Sequence, residues 1–198
     1  MKYDILISGV GGQGQVLASH LLGAAAIEAG FNARTGETIG MAQRGGCVVS
    51  NVRIGDGAMS SSVPMGHADL VIGFELCETA RVLNRLCDSG SVILNDYVIS
   101  PVTVSLGLQG YDRAAMLDYI KKNAKSLLII DANSLALRAG SQKAANVVLL
   151  GAASGAGFLP FPQDALLKAI EGTMPPKYRG LNLAAFRSGY TYAKEQQL

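Results

Sequence analysis

An apolar run from Tyr3 to Ser8 leads directly into Gly9-Val10-Gly11-Gly12-Gln13-Gly14, and a helix-like run from Gln15 to Glu28 follows. No other feature constrains the fold as strongly. The order strand, glycine loop, helix is the opening of an open α/β sheet, with glycines on the dinucleotide-fingerprint spacing. On this reading Gly9 allows the turn out of the strand, Gly11 lets backbone approach an anion, and Gly14 lets helix and strand pack closely. The first-turn N–H groups of the helix carry the positive end of its dipole and suit a phosphate, a carboxylate or an acidic group of a partner.

Further runs rich in Val, Ile and Leu, at Cys47 to Ile54, Leu70 to Phe74, Val92 to Asn95 and Leu127 to Asp131, read as strands buried on both faces. Helix patterns lie between them. One covers Glu78 to Arg85. Asp112 is placed to cap Arg113 to Lys122, Pro162 opens a helix bearing Leu166, Leu167 and Ile170, and Asn182 is read as the cap of a last helix carrying Leu183, Phe186 and Tyr190. The alternation predicts one α/β domain over residues 1–198, with a mostly parallel, Rossmann-like sheet flanked by helices. The uncharged stretch Ala144 to Gln163 holds Pro160 and Pro162, so it reads as buried helix and loop rather than a bilayer span. The amino terminus has no signal-peptide form, which points to the cytoplasm.

Thr35 to Gly46 interrupts the pattern. Polar and glycine-rich, it is expected to be a loop after the second strand on the carboxyl-end rim of the sheet, where such sheets bind ligands. There Arg44 can grip a carboxylate or phosphate at two points, and Gln43 offers a donor and an acceptor. Glu37 and Met41 belong to the same stretch, and Gly45 and Gly46 permit close backbone approach.

Several chemistries are disfavoured. Cys47, Cys77 and Cys87 form no CxxC pair and so lack the spacing of zinc or iron–sulfur ligands. His20 and His67 are far apart and assemble no triad. Asp56 between Gly55 and Gly57, with Asn84 downstream, mimics the Mg²⁺ ligands of thiamine-diphosphate enzymes, but Ser60-Ser61-Ser62 and Pro64 follow where a helix should, and the Asp-Gly step reads as a turn. A net charge of +2 without basic clusters gives no case for nucleic acid. Charged residues make up only 16% of the chain, against roughly 25% in ordinary soluble proteins, so part of the surface is expected to be covered. The Leu183, Phe186, Tyr190 face is the candidate for a partner or for self-association, the alternative being that it packs back on the chain.

Gly9 to Gly14, then Gly40-Met41-Ala42-Gln43-Arg44-Gly45-Gly46, then Ala68-Asp69-Leu70-Val71-Ile72-Gly73-Phe74-Glu75 together resemble the gamma-type domain of 2-oxoacid:ferredoxin oxidoreductases, the indolepyruvate type in particular. Asp131-Ala132, Asn146 to Gly151 and Leu181 to Tyr190 extend the likeness over nearly the whole chain. The resemblance implies a large partner subunit carrying thiamine diphosphate, Mg²⁺ and iron–sulfur clusters, with none of these bound by this chain alone. It further implies oxidation of a 2-oxo acid with coenzyme A to acyl-CoA and carbon dioxide, with ferredoxin as acceptor. It places Gly11, Gly12, Gln13, Gly14, Gln43, Arg44, Gly45 and Gly46 at the candidate site. Cys47, with no electropositive cluster beyond Arg44 near it in sequence, reads as a buried thiol rather than a nucleophile. Two alternatives stay open. One is an NAD(P)-binding oxidoreductase in which Glu37 or Arg34 reads the ribose; the other is a non-catalytic interaction module.

Overall fold

The computed structural model describes residues 1–40, 45–56 and 60–196. Met41, Gln43 and Arg44, together with Ala42, therefore lie outside the described residues, as does Gly57 of the expected Asp-Gly turn. Six strands form one sheet among the described residues, in the order β2-β3-β1-β4-β5-β6. These are β1 (Lys2–Val10), β2 (Ala33–Ile39), β3 (Cys47–Gly55), β4 (Ala68–Gly73), β5 (Leu86–Asn95) and β6 (Ser126–Ile130). β1, β4, β5 and β6 are parallel neighbours, while β3 runs antiparallel to both β1 and β2. A mostly parallel sheet with one reversed strand results. Ile5, Leu6 and Ile7 of β1 are all fully buried, as a central strand covered on both faces requires.

Helices α1 (Gln15–Glu28), α6 (Ala145–Gly155), α7 (Gln163–Thr173) and α8 (Pro176–Glu195) contribute to the larger core, with Ile5, Ile7, Leu70, Ile72 and Ile93. Helices α2 (Leu76–Val82) and α4 (Arg113–Asn123) contribute to the smaller core with Leu6, Val71, Val92 and Leu94. Short helices α3 (Val102–Ser105) and α5 (Ala132–Arg138) complete the chain, with 3-10 turns at Leu83–Arg85 and Gln142–Ala144. No helix among the described residues is long and apolar enough to cross a membrane.

The seam between α6 and α8 shows how glycine shapes this core. A Cβ on Gly151 would lie 2.0 Å from the Phe186 carbonyl oxygen, and one on Gly189 would lie 1.9 Å from that of Val148. The two helices meet backbone to backbone, an approach that any side chain at either position would block. Phe186 is 1% exposed in this contact, with its ring 6.3 Å from that of Tyr190. The face of Leu183, Phe186 and Tyr190 thus packs back within the chain, chiefly on α6, and is not a free partner surface.

Two further expectations are corrected. Thr35 to Ile39 is strand, not loop: β2 is an edge strand paired only with β3, and an edge tolerates polar residues because one side stays wet. Asn182 does not start the last helix. That helix begins at Pro176, whose missing N–H is no loss at a first position, and Asn182 is buried nearly two turns later, donating to the Tyr178 carbonyl at 2.9 Å.

Candidate functional site

The carboxyl ends of β1, β4, β5 and β6 open into a cleft of about 660 Å³. The glycine loop (Gly11, Gly12, Gln13, Gly14) and Leu17 form one wall; Phe74, Asn95, Tyr97, Ile99 and Asn133 form the floor and far side; Gln142, Lys143, Ala145, Asn146 and Leu149 close it. This is where a strand order that reverses about β1 leaves a crevice between connections.

Carboxamides fix the rim. Gln13 Oε1 accepts from Val10 N at 2.7 Å, and its Nε2 donates to the Phe74 carbonyl at 3.1 Å. Gln15 Nε2 donates to the Val10 carbonyl at 2.8 Å. Asn95, 2% exposed, donates to the Phe74 carbonyl at 3.2 Å and to Asn133 Oδ1 at 3.0 Å, and it accepts from Ala132 N at 3.0 Å. The ends of β1, β4 and β5 and the start of α5 are thereby locked together by neutral groups. A buried polar belt of this kind is rigid because each unmade bond would cost a desolvated donor or acceptor.

These bonds change the roles expected of the glycine loop. The Gln13 carboxamide is engaged in holding the loop. The N–H of Gly11 donates to the Gly46 carbonyl at 2.8 Å, which brings the second rim segment against the first but removes that N–H from anion binding. At Gly9, an added Cβ would fall within 2.8 Å of Gln15, Gln13 and Phe74 atoms, so the space is reserved for the two glutamines. Gly14 has φ +88°, and a Cβ there would lie 2.7 Å from Asn146 Nδ2; its close neighbour is α6 rather than its own strand. Gly12, with φ +99°, faces open space.

What remains unsatisfied points at anions. α1 starts at Gly14 with no side-chain cap and no acid in its first turn. α6 instead continues the Gln142–Ala144 turn, with the Ala145 N–H donating to the Gln142 carbonyl and the Val147 N–H to Asn146 Oδ1 at 2.9 Å. Both helix starts line the cleft, with exposed Lys143 beside them. An uncapped helix N-terminus such as that of α1 presents N–H donors and a positive dipole end, and a lysine adds a full charge.

Of the second rim group, Gly45 and Gly46 reach the rim. Glu37 does not: it lies on β2, accepts from Ser19 Oγ of α1 at 3.0 Å, and has His20 Nε2 at 3.8 Å. This also undercuts the dinucleotide reading. Antiparallel β3 stands between β1 and β2, so Glu37 and Arg34 on β2 are not at the end of a parallel strand beside β1, where a ribose would need them. Cys47 is exposed rather than buried, because it starts β3 at the rim. Asp56 and Asn84 do not fit a metal or thiamine diphosphate. Both sit at the opposite, amino-end rim of the sheet, where Asp56 Oδ1 accepts from Asn32 at 2.7 Å and the Asn84 carbonyl accepts from Gly66 N at 3.3 Å. No group of three or more His, Cys, Asp or Glu placed to hold a metal occurs among the described residues.

Sequence reasoning missed Asn95, Asn133 and Lys143 as site residues. Its one available signal was a polar residue closing each apolar strand run, as Asn95 does for β5.

The family model for pyruvate ferredoxin/flavodoxin oxidoreductase matches residues 4–192. Indolepyruvate oxidoreductase subunit IorB of Thermococcus kodakarensis is 40% identical over 98% of this chain and 97% of its own length. The gamma subunit of a keto/oxoacid ferredoxin oxidoreductase from Geobacter sulfurreducens superposes with a TM-score of 0.70 at 24% identity, covering 96% of this chain and 98% of that one. The 2-oxoglutarate:ferredoxin oxidoreductase of Magnetococcus marinus, solved with 2-oxoglutarate, coenzyme A and succinyl-CoA, gives a TM-score of 0.70 at 19% identity over 98% of this chain and 31% of that one.

Proposed function

The chain belongs to the pyruvate ferredoxin/flavodoxin oxidoreductase family, and from that membership we propose that it is the small, gamma-type subunit of a cytoplasmic 2-oxoacid:ferredoxin oxidoreductase. The substrate class is indolepyruvate or a related aryl pyruvate, by likeness to the indolepyruvate relative. A large partner subunit carries thiamine diphosphate, Mg²⁺ and iron–sulfur clusters, and ferredoxin takes the electrons. The complex converts 2-oxo acid, coenzyme A and two oxidised ferredoxins to acyl-CoA, carbon dioxide, a proton and two reduced ferredoxins. Thiamine diphosphate supplies the carbanion chemistry when bound in the partner.

This chain's part is to bind and orient coenzyme A. The observation that carries the reading is the uncapped N-terminus of α1 and Lys143 on one cleft beside a rigid carboxamide belt. That arrangement offers donors and positive potential for the phosphates of coenzyme A, while Leu17, Leu149 and Ile99 offer apolar surface to the rest of the molecule. A locked rim keeps the thiol from wandering, which lowers the entropic barrier to acyl capture. The free thiols at Cys47, Cys77 and Cys87 agree with a reducing compartment.

The test is reconstitution. The chain and the large subunit, purified separately and mixed, are expected to form a complex that makes acyl-CoA from indolepyruvate and reduces ferredoxin, with little turnover from either alone. Full activity of the large subunit without this chain contradicts the reading.

A further inference from the structure

Glu75 follows β4 and is 1% exposed. Its carboxylate receives only neutral donors among the described residues: Glu78 N at 2.9 Å on Oε2, and Ile99 N and the Tyr111 hydroxyl, each at 3.3 Å, on Oε1. A polar group this deeply buried needs such partners, since each unmade bond would leave it desolvated without compensation. The donors come from distinct places. Glu78 N belongs to the start of α2, while Ile99 and Tyr111 sit at the two ends of one segment, residues 97–111. The Leu76 N–H, donating to the Tyr97 carbonyl at 3.2 Å, adds a backbone tie at the same point.

Between those ends the chain is a loop folded on itself. α3 stops at Gly107, φ +72°, with Leu108 N donating to the Thr103 carbonyl at 2.8 Å and Gly107 N to that of Val104 at 2.9 Å, a glycine-terminated helix end. Its tip holds Leu106 and Leu108, 67% and 72% exposed, and its base supplies Tyr97 and Ile99 to the cleft. An ion pair of Asp96 with Arg113 also joins the two flanks, but both partners are about half exposed and salt screens such a pair. Burial and the Glu75 charge raise the Tyr111 phenol above its ordinary range, so it stays a donor throughout working pH.

We propose that Glu75 is a positioning residue for the cleft: by receiving both ends of the 97–111 loop on one buried carboxylate, it sets where Tyr97 and Ile99 stand as a wall. In the enzyme this rests on the reading of the cleft as the coenzyme A site.

Hydrogen exchange on the full chain tests the latch, and kinetics of the reconstituted complex test its consequence. Glu75→Leu removes the acceptor for both Ile99 N and the Tyr111 hydroxyl, whereas a glutamine could turn its one oxygen to both and leave only Glu78 N unpaired. Amides of 97–111 should exchange about tenfold faster in Glu75→Leu and about threefold faster in Tyr111→Phe, with α6 and α8 unchanged. In the complex, KM for coenzyme A should rise about fivefold in Glu75→Leu while KM for the 2-oxo acid stays put, a split that general loosening would not give. Unchanged exchange across 97–111 in both variants overturns the proposal, and Tyr111→Phe carries the test if Glu75→Leu fails to fold. Faster exchange with unchanged KM for coenzyme A supports the latch and instead contradicts the assignment of coenzyme A to this cleft.

Discussion

Two groups of helix starts divide this molecule. α2, α4 and α5 each open on a carboxylate that accepts a backbone N–H: Glu75 from Glu78, Asp112 from Ala115, Asp131 from Ser134. α1 opens on Gly14, with no side-chain cap and no acid in the first turn. α6 continues the Gln142–Ala144 turn, which takes its Ala145 N–H, and Asn146 Oδ1 takes that of Val147. α7 lacks a side-chain cap but carries Asp164 in its first turn, and α8 begins with proline, which removes one donor. On the cleft itself the capped start of α5, through Asn133, faces the uncapped start of α1. A helix start left without an acceptor beside a lysine suits an anion better than one closed by a carboxylate.

The largest way to break this comparison is at Gly14. Gly14→Ala forces a side chain into a left-handed conformation and against Asn146, and should cost about 3 kcal/mol in urea unfolding. A loss under about 0.5 kcal/mol would show that the α1–α6 contact yields and that the cleft is not rigid. Removing a cap on the other side costs less. Asp112→Ala should lose about 1 kcal/mol, and it should leave coenzyme A affinity untouched because α4 contributes nothing to the cleft. The smallest effect is the acid dependence of Asp131. Its carboxyl is held below its usual range, first by the Ser134 hydroxyl and then by the Ser134 N–H. A carboxylate depressed on folding stabilises above its unfolded value, roughly pH 4, and that stabilisation is lost as pH falls through the folded value. Urea midpoints of wild type and Asp131→Ala should therefore differ at pH 7 and converge as pH falls through the lowered folded value. A constant gap across that range would mean that the ionised cap contributes nothing.

The fold was legible wherever local pattern decides it. The strands buried on both faces, α1 and the Asp112 cap follow from runs of apolar residues and from a cap that acts within its own turn. β2 was missed because an edge strand carries Thr35, Glu37 and Thr38 without an apolar signature, and Asn182 was misread because the Pro175-Pro176 step sets the helix start six residues earlier. The glycine loop was found, but the division of labour within the cleft was not. Gln13 looks like a ligand residue in sequence and braces the loop, while Asn146 reaches the Gly14 carbonyl across 132 positions, and Lys143 shares the cleft with it, only because α1 and α6 share one face of the sheet.

The claim that this cleft takes the phosphates of coenzyme A is tested most directly at Lys143. The side chain is exposed, so Lys143→Glu should shift stability by less than about 0.5 kcal/mol. In the reconstituted complex, steady-state kinetics should show KM for coenzyme A rising about tenfold at low salt, a loss near 1.4 kcal/mol, with the gap to wild type narrowing as salt is added. KM for the 2-oxo acid should not move. An unchanged KM for coenzyme A in a complex that assembles and turns over normally would contradict the account.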